Sequence, residues 1–232
     1  MAGLAGLAAS AVGIAHQLLP RRFTPAQRRA ISAWEMDRRW RALPAGKIFP
    51  AAVTYTLPAE KLFATSNLVL NASRLGISGA TRCASAASGA AVRLLSSHDC
   101  TAALRATYTD SSDSLVATIT VAVMPSESAA RTVVSDLHGL DAGQMVVRPL
   151  RIPGTPAAKF SDADRQLSST ASVGPYLILA TAGFTDARHH LRIPDGYLDM
   201  EMDSLVKGLV QEASSSLGAT PPAPSCPGAP GC

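Results

Sequence analysis

Four cysteines, one pair of adjacent histidines and two short acidic runs are the side chains here whose types and spacing could support chemistry. Cys83, Cys100, Cys226 and Cys232 form an even set, which in an exported chain suggests two disulfides with three ways of pairing. Zinc is the competing reading. The first two are separated by 16 residues and the last two by five, neither a common C-x₂₋₄-C pair, and no histidine stands at ligand spacing beside them. Disulfides are therefore expected, and neither a metal nor any other cofactor. His189 and His190 would point different ways in a helix or a strand, so one metal could take both only in a loop. They read as a solvated loop pair. In "DMEMD", Asp199 and Asp203 share a helical face, which would suit a weak calcium site. The favoured reading is that Asp199, Glu201 and Asp203 are acids held by the helix N-terminal dipole. Asp162 and Asp164 read as loop acids. H-E-x-x-H, G-x-S-x-G and P-loop patterns are missing from the sequence, so no catalytic residue is assigned.

Which cysteine meets which depends on the elements between them. "CASAASGAAVRLLSSHDC" reads as a helix over 84–97 with Val92, Leu94 and Leu95 as its bulkier apolar residues. Such a helix is roughly 20 Å long, whereas a disulfide needs Cα atoms within about 7 Å. Cys83 and Cys100 would then lie near its opposite ends. The six steps of Pro/Gly-rich chain from Cys226 to Cys232 reach roughly 19 Å as polyproline. The tail "PAPSCPGAPGC" could thus lie along the helix and be stapled at both ends. The other pairing is a local 83–100 bond with a small 226–232 ring. Both stand open on the sequence.

"FTPAQRRAISAWEMDRRWRALP" predicts a helix over about 25–42, with Thr24 as N-cap and Pro25 at its first position. "AGKIFPAAVTYTLP" and "NLVLNASRLGIS" read as strands. "TAALRATYTD" and "SLVATITVAVMP" flank the turn "DSSDS", with Leu115, Ala117, Ile119, Val121 and Val123 on one face. "SESAARTVVSDLHGL" reads as a helix capped by Ser126 and stopped by Gly139. "QMVVRPLRIP" reads as a short strand that Pro149 demotes to an edge. A second hairpin turns at Gly174–Pro175. The final helix puts Leu198, Met202, Leu205, Leu209 and Val210 towards the core. Hairpins broken by single helices imply an α+β fold: an antiparallel sheet of hairpins with helices packed mainly on one face.

Hydrophobic residues make up 47% of the 232 residues and charged ones only 16%, against about 25% in ordinary soluble domains. That excludes general disorder. Residues 20–50 carry a net charge of +6 within a total of +4, so the body is slightly acidic and has no basic stripe for nucleic acid. "MAGLAGLAASAVGIAHQLL" runs 19 positions without a charge and would span roughly 28 Å as a helix. It reads as an uncleaved membrane anchor, because a basic start and a good cleavage site are both lacking. Arg21, Arg22, Arg28, Arg29, Trp34 and Trp40 then fall at the membrane interface, in contact with anionic lipid headgroups. Docking onto the domain is the competing role for the tryptophans, favoured for Trp34. The positive-inside rule would keep Arg21 and Arg22 cytoplasmic, whereas the cysteines favour export. A basic stretch upstream of the given start would reconcile the two. The expected organisation is an anchor over 1–20, a basic juxtamembrane helix over 21–47, an extracytoplasmic domain over 48–218 and a tail over 219–232.

At "AWEMDRRWRALPAGKIFP", "CTAALRATYTD", "GPYLILATAGFTDAR" and "CPGAPGC" the chain resembles a group of actinobacterial proteins of unknown function. They look like membrane-anchored extracytoplasmic domains, and the likeness covers nearly the whole chain. It implies a location outside the cell membrane and carries no catalytic residue. Together these readings suggest a non-catalytic binding or scaffolding module with an envelope protein as partner. An envelope enzyme whose site forms only in three dimensions is the alternative.

Overall fold

The structure is a computed structural model that describes residues 23–62, 64–138, 147–189 and 197–219. By compactness the chain divides into two units, Met1–Glu35 with Pro221–Cys232, and Met36–Thr220. Of the first unit the described part is the start of helix α1, Pro25–Ala42. Its entry is a reciprocal capping box. Gln27 N–H donates to Thr24 Oγ1 at 3.2 Å, and Thr24 N–H donates to Gln27 Oε1 at 2.9 Å.

The second unit carries the sheet. After the short helix α2 (Ala45–Ile48) come β1 (Ala52–Leu57), α3 (Ala59–Leu62) and β2 (Leu68–Thr81). Helices α4 (Cys83–Ala86) and α5 (Ala90–Ser97) lead into β3 (Ala102–Asp110) and β4 (Leu115–Val123). Helix α6 (Glu127–His138), strands β5 (Arg165–Val173) and β6 (Tyr176–Phe184), and helix α7 (Tyr197–Gly218) complete the order. The six strands lie β1-β2-β3-β4-β6-β5, each antiparallel to its neighbours. The α+β class and the antiparallel sheet are as expected.

Each hairpin has a local cause. Asp110, almost fully buried, closes the β3–β4 turn: its carboxylate accepts from Leu115 N–H at 2.6 Å and Ser112 N–H at 3.0 Å. The β5–β6 turn places Gly174 at φ +51° before Pro175, the first turn position where glycine is favoured.

Helices cover both faces of the sheet, rather than mainly one. β3, β4 and β6 are buried along their whole length, β4 and β6 as near-continuous apolar runs and β3 with Arg105, Thr107, Thr109 and Asp110 among its buried residues. On the first face Leu104, Ala106, Tyr108, Leu115, Ile119 and Ile178 meet Met202, Leu205, Val206, Leu209 and Ala213 of α7. On the second face Ala122, Leu177 and Leu179 meet Ala91 and Leu95 of α5 and Ala130, Val133 and Leu137 of α6. The predicted inward row of β4 and the core side of α7 at Met202, Leu205, Leu209 and Val210 both lie in the first core. Ser126 caps α6, its Oγ accepting from Ala129 N–H at 3.1 Å.

Two predicted elements differ. The helix expected over 84–97 is broken. The chain turns extended at Ala87 (φ −123°, ψ 167°), and Gly89 takes φ +55° before α5 begins. Of the strand expected from "QMVVRPLRIP", 144–146 lie outside the described residues, and over 147–153 it is a single bridge between Val147 and Ala87. The following residues lie over the second face, tied down by threonines. Thr107 donates to Leu150 O at 2.7 Å, and Leu150 N–H donates to Thr118 Oγ1 at 3.0 Å. Gly76 and Gly183 make room for this covering layer. A Cβ on Gly76 would lie 2.8 Å from Ile152, and one on Gly183 would lie 2.4 Å from the carbonyl oxygen of Asp164.

Candidate functional site

The break at Ala87–Gly89 folds α5 back beside α4 and brings Cys83 and Cys100 together. Their Cα atoms are 6.2 Å apart and their sulfurs are bonded. This is the 83–100 bond of the local pairing. A staple that uses Cys83 and Cys100 to hold the tail is ruled out in this state, because the two sulfurs are bonded to each other. Cys226 and Cys232 lie outside the described residues, as do Arg21, Arg22, His190, Gly139 and the whole of 1–20. Among the described residues no helix is long and apolar enough to cross a membrane.

The remaining interface residues sit on α1. Arg28 and Arg29 are exposed and Trp34 is half-buried. Trp40 packs against the first core, its main-chain N–H donating to the Tyr176 hydroxyl at 3.2 Å and its ring covered by the Arg41 guanidinium at 4.6 Å. Arg39 donates to the carbonyls of Leu217, at 2.7 Å, and of Ala219, closing the C-terminus of α7.

The candidate acids part company. Asp203 pairs with Lys207 at 2.7 Å, one turn along α7. Glu201 is buried and accepts from the Tyr55 hydroxyl at 3.0 Å. Burial raises its pKa and the Asp110 charge adds to that, while the Tyr55 bond opposes. Asp164 is buried as well, accepting from Ser161 N–H at 2.8 Å and Ser161 Oγ at 2.6 Å, with His189 Nδ1 at 3.5 Å. Asn71 accepts from Thr54 Oγ1 at 3.0 Å across the β1–β2 ladder. Among the described residues no group of three or more His, Cys, Asp or Glu could hold a metal ion.

The arrangement with most chemical potential was not legible as a motif. On the second face β3 presents Arg105, which is only 6% exposed. Its Nη2 donates to the carbonyl of Arg148, while its Nε is buried without a hydrogen-bond partner. Burial pushes its pKa down to about 10, with the Arg148 charge adding and Asp162 opposing. Arg165, at the start of β5, donates to Val147 O at 2.7 Å and Ser88 Oγ at 2.8 Å. Asp162 stands between two cations, with Arg148 Nε at 3.6 Å and Arg165 Nη1 at 3.8 Å. Beside them opens a cleft of about 450 Å³ lined by Arg148, Pro149, Arg151, Phe160, Ser161, Asp162 and Ala163. A second groove of about 440 Å³, between β1 and α7, is walled by Tyr55, Asp203, Lys207 and Glu212 among others. The sequence signal for the first cleft was an arginine in the middle of the buried strand "AALRATYTD". A buried cation there points to polar partners on that side of the sheet. Compared with known proteins, the chain matches no family model, no curated protein and no solved structure.

Proposed function

We propose that the protein is a non-catalytic binding or scaffolding module held on the extracytoplasmic side of a cell membrane. In this reading residues 1–20 anchor it in lipid, and an envelope component is its partner. The observation that carries the proposal is the Cys83–Cys100 bond, since disulfides persist in oxidising compartments and are rare in the cytosol. The binding role draws support from what the buried acids do. Asp110 closes a turn and Asp164 caps a short 3₁₀ segment, while the Arg148–Asp162 cleft stands open on a fixed scaffold.

Thiol labelling of the full chain in intact cells, with and without reductant, tests the location. Cys83 and Cys100 should label only after reduction, in a protein that fractionates with membranes. Labelling of all four cysteines without reductant would sink the exported reading. A second reading, an envelope enzyme, is favoured by Glu201, which meets Tyr55 beside the β1–α7 groove that Tyr55 lines. It requires turnover in a panel of ester and glycoside substrates that Glu201→Gln abolishes.

A further inference from the structure

We propose that the cleft at Arg148 and Arg151 binds a dianionic phosphate group, free or as a monoester. The proposal deepens the binding-module reading and rests on it. Among the described residues, Arg148 and Arg151 line the cleft with a single carboxylate, that of Asp162, which also faces Arg165, and Arg105 donates to the Arg148 carbonyl. Asp164 is committed to Ser161. Asp162 approaches Arg148 Nε only to 3.6 Å, beyond the roughly 2.7–2.9 Å of a charge-assisted hydrogen bond.

Behind the wall, Arg105 is nine-tenths buried with an unpartnered Nε. A buried cation with partial compensation is costly unless a counter-charge comes near. An anion in the cleft supplies one beside Arg148, to whose carbonyl Arg105 donates.

The ligand's chemistry follows from the wall. Arg148 and Arg151 are both exposed and both line the cavity. Two guanidinium forks suit the several oxygens of a phosphate, whereas one fork saturates a carboxylate. A volume of about 450 Å³ exceeds what a phosphate fills and lies in the range of small-molecule sites. Pro149 and Ala163 offer apolar wall to an organic remainder. Asp162 repels the ligand and competes for Arg148, so its removal should strengthen binding.

The test is calorimetric titration of the full-length protein with inorganic phosphate, glycerol 3-phosphate and acetate. Phosphate should bind saturably and acetate at least about tenfold more weakly. Arg148→Gln should weaken phosphate about tenfold or more, the usual scale for one charged hydrogen-bond donor. Arg148 is exposed and only its main-chain carbonyl serves Arg105, so the variant keeps its fold, which thermal melting verifies. Asp162→Asn should tighten binding. Tighter glycerol 3-phosphate than phosphate assigns an ester as the source, and the reverse assigns the free ion; either supports the site. Acetate binding equal to phosphate, an unchanged affinity in Arg148→Gln, or a weaker one in Asp162→Asn overturns it. Loss of phosphate binding with the Cys83–Cys100 bond intact and membrane fractionation retained would leave the module reading standing.

Discussion

Burial at Glu201 makes this one carboxyl report on pH. Its pKa lies above the ordinary glutamate value of 4.5, so the folded chain keeps the proton at a pH where the unfolded chain has released it. The stabilisation from the neutral carboxyl is fully present below about pH 4.5 and is lost as pH rises through the raised folded-state value. Glu201→Gln retains an acceptor for the Tyr55 hydroxyl and does not titrate. Relative to wild type, the variant should therefore gain stability in urea unfolding as pH rises from about 4.5 through the raised folded-state value. A difference that stays constant over that interval would contradict the assignment. In sequence, Glu201 sits in an acidic run that reads as a helix start, and nothing in "DMEMD" separates it from its neighbours. Its partner comes from β1, 146 residues away.

At the scale of elements, the Cys83–Cys100 bond closes a loop with a sequence separation of 17 around the α4–α5 corner. Loops of that size contribute about 3 kcal/mol. Replacing both cysteines by serine should lower the melting temperature by roughly 6–12 °C in a domain of this length. An unchanged melting temperature would mean that packing of Ala87, Ala91 and Leu95 alone holds the corner. The same corner shows where element reading stops. Alanine-rich "CASAASGAAVRLL" has the propensity of one helix, and the break follows from tertiary demands: Ala87 bridges Val147, and Gly89 takes a left-handed turn. β4, α6 and the Gly174–Pro175 hairpin were legible because alternation, a serine cap and a turn glycine are local signals. The arginine cleft was not. It draws on β3, β5 and the chain over 148–163, and no stretch of sequence holds more than a part of it.

For the whole molecule, basic residues concentrate between 20 and 50 and the rest of the chain is slightly acidic. The apolar N-terminal run lies outside the described residues, and its role is part of the proposal above. What the described domain does make plain is how its sheet is shared. β3, β4 and β6 send alternate side chains into two different cores, Leu104 and Ile119 to one and Ala122 and Leu179 to the other. Neither core can come apart while the other keeps those strands paired. The two should therefore melt as one cooperative transition, with calorimetric and van't Hoff enthalpies in agreement. Leu205→Ala in the first core and Val133→Ala in the second should lower that single transition alike, and two transitions that shift independently would refute the coupling. The consequence is functional economy of motion: a ligand that tightens the second face stabilises α7 on the first without touching it.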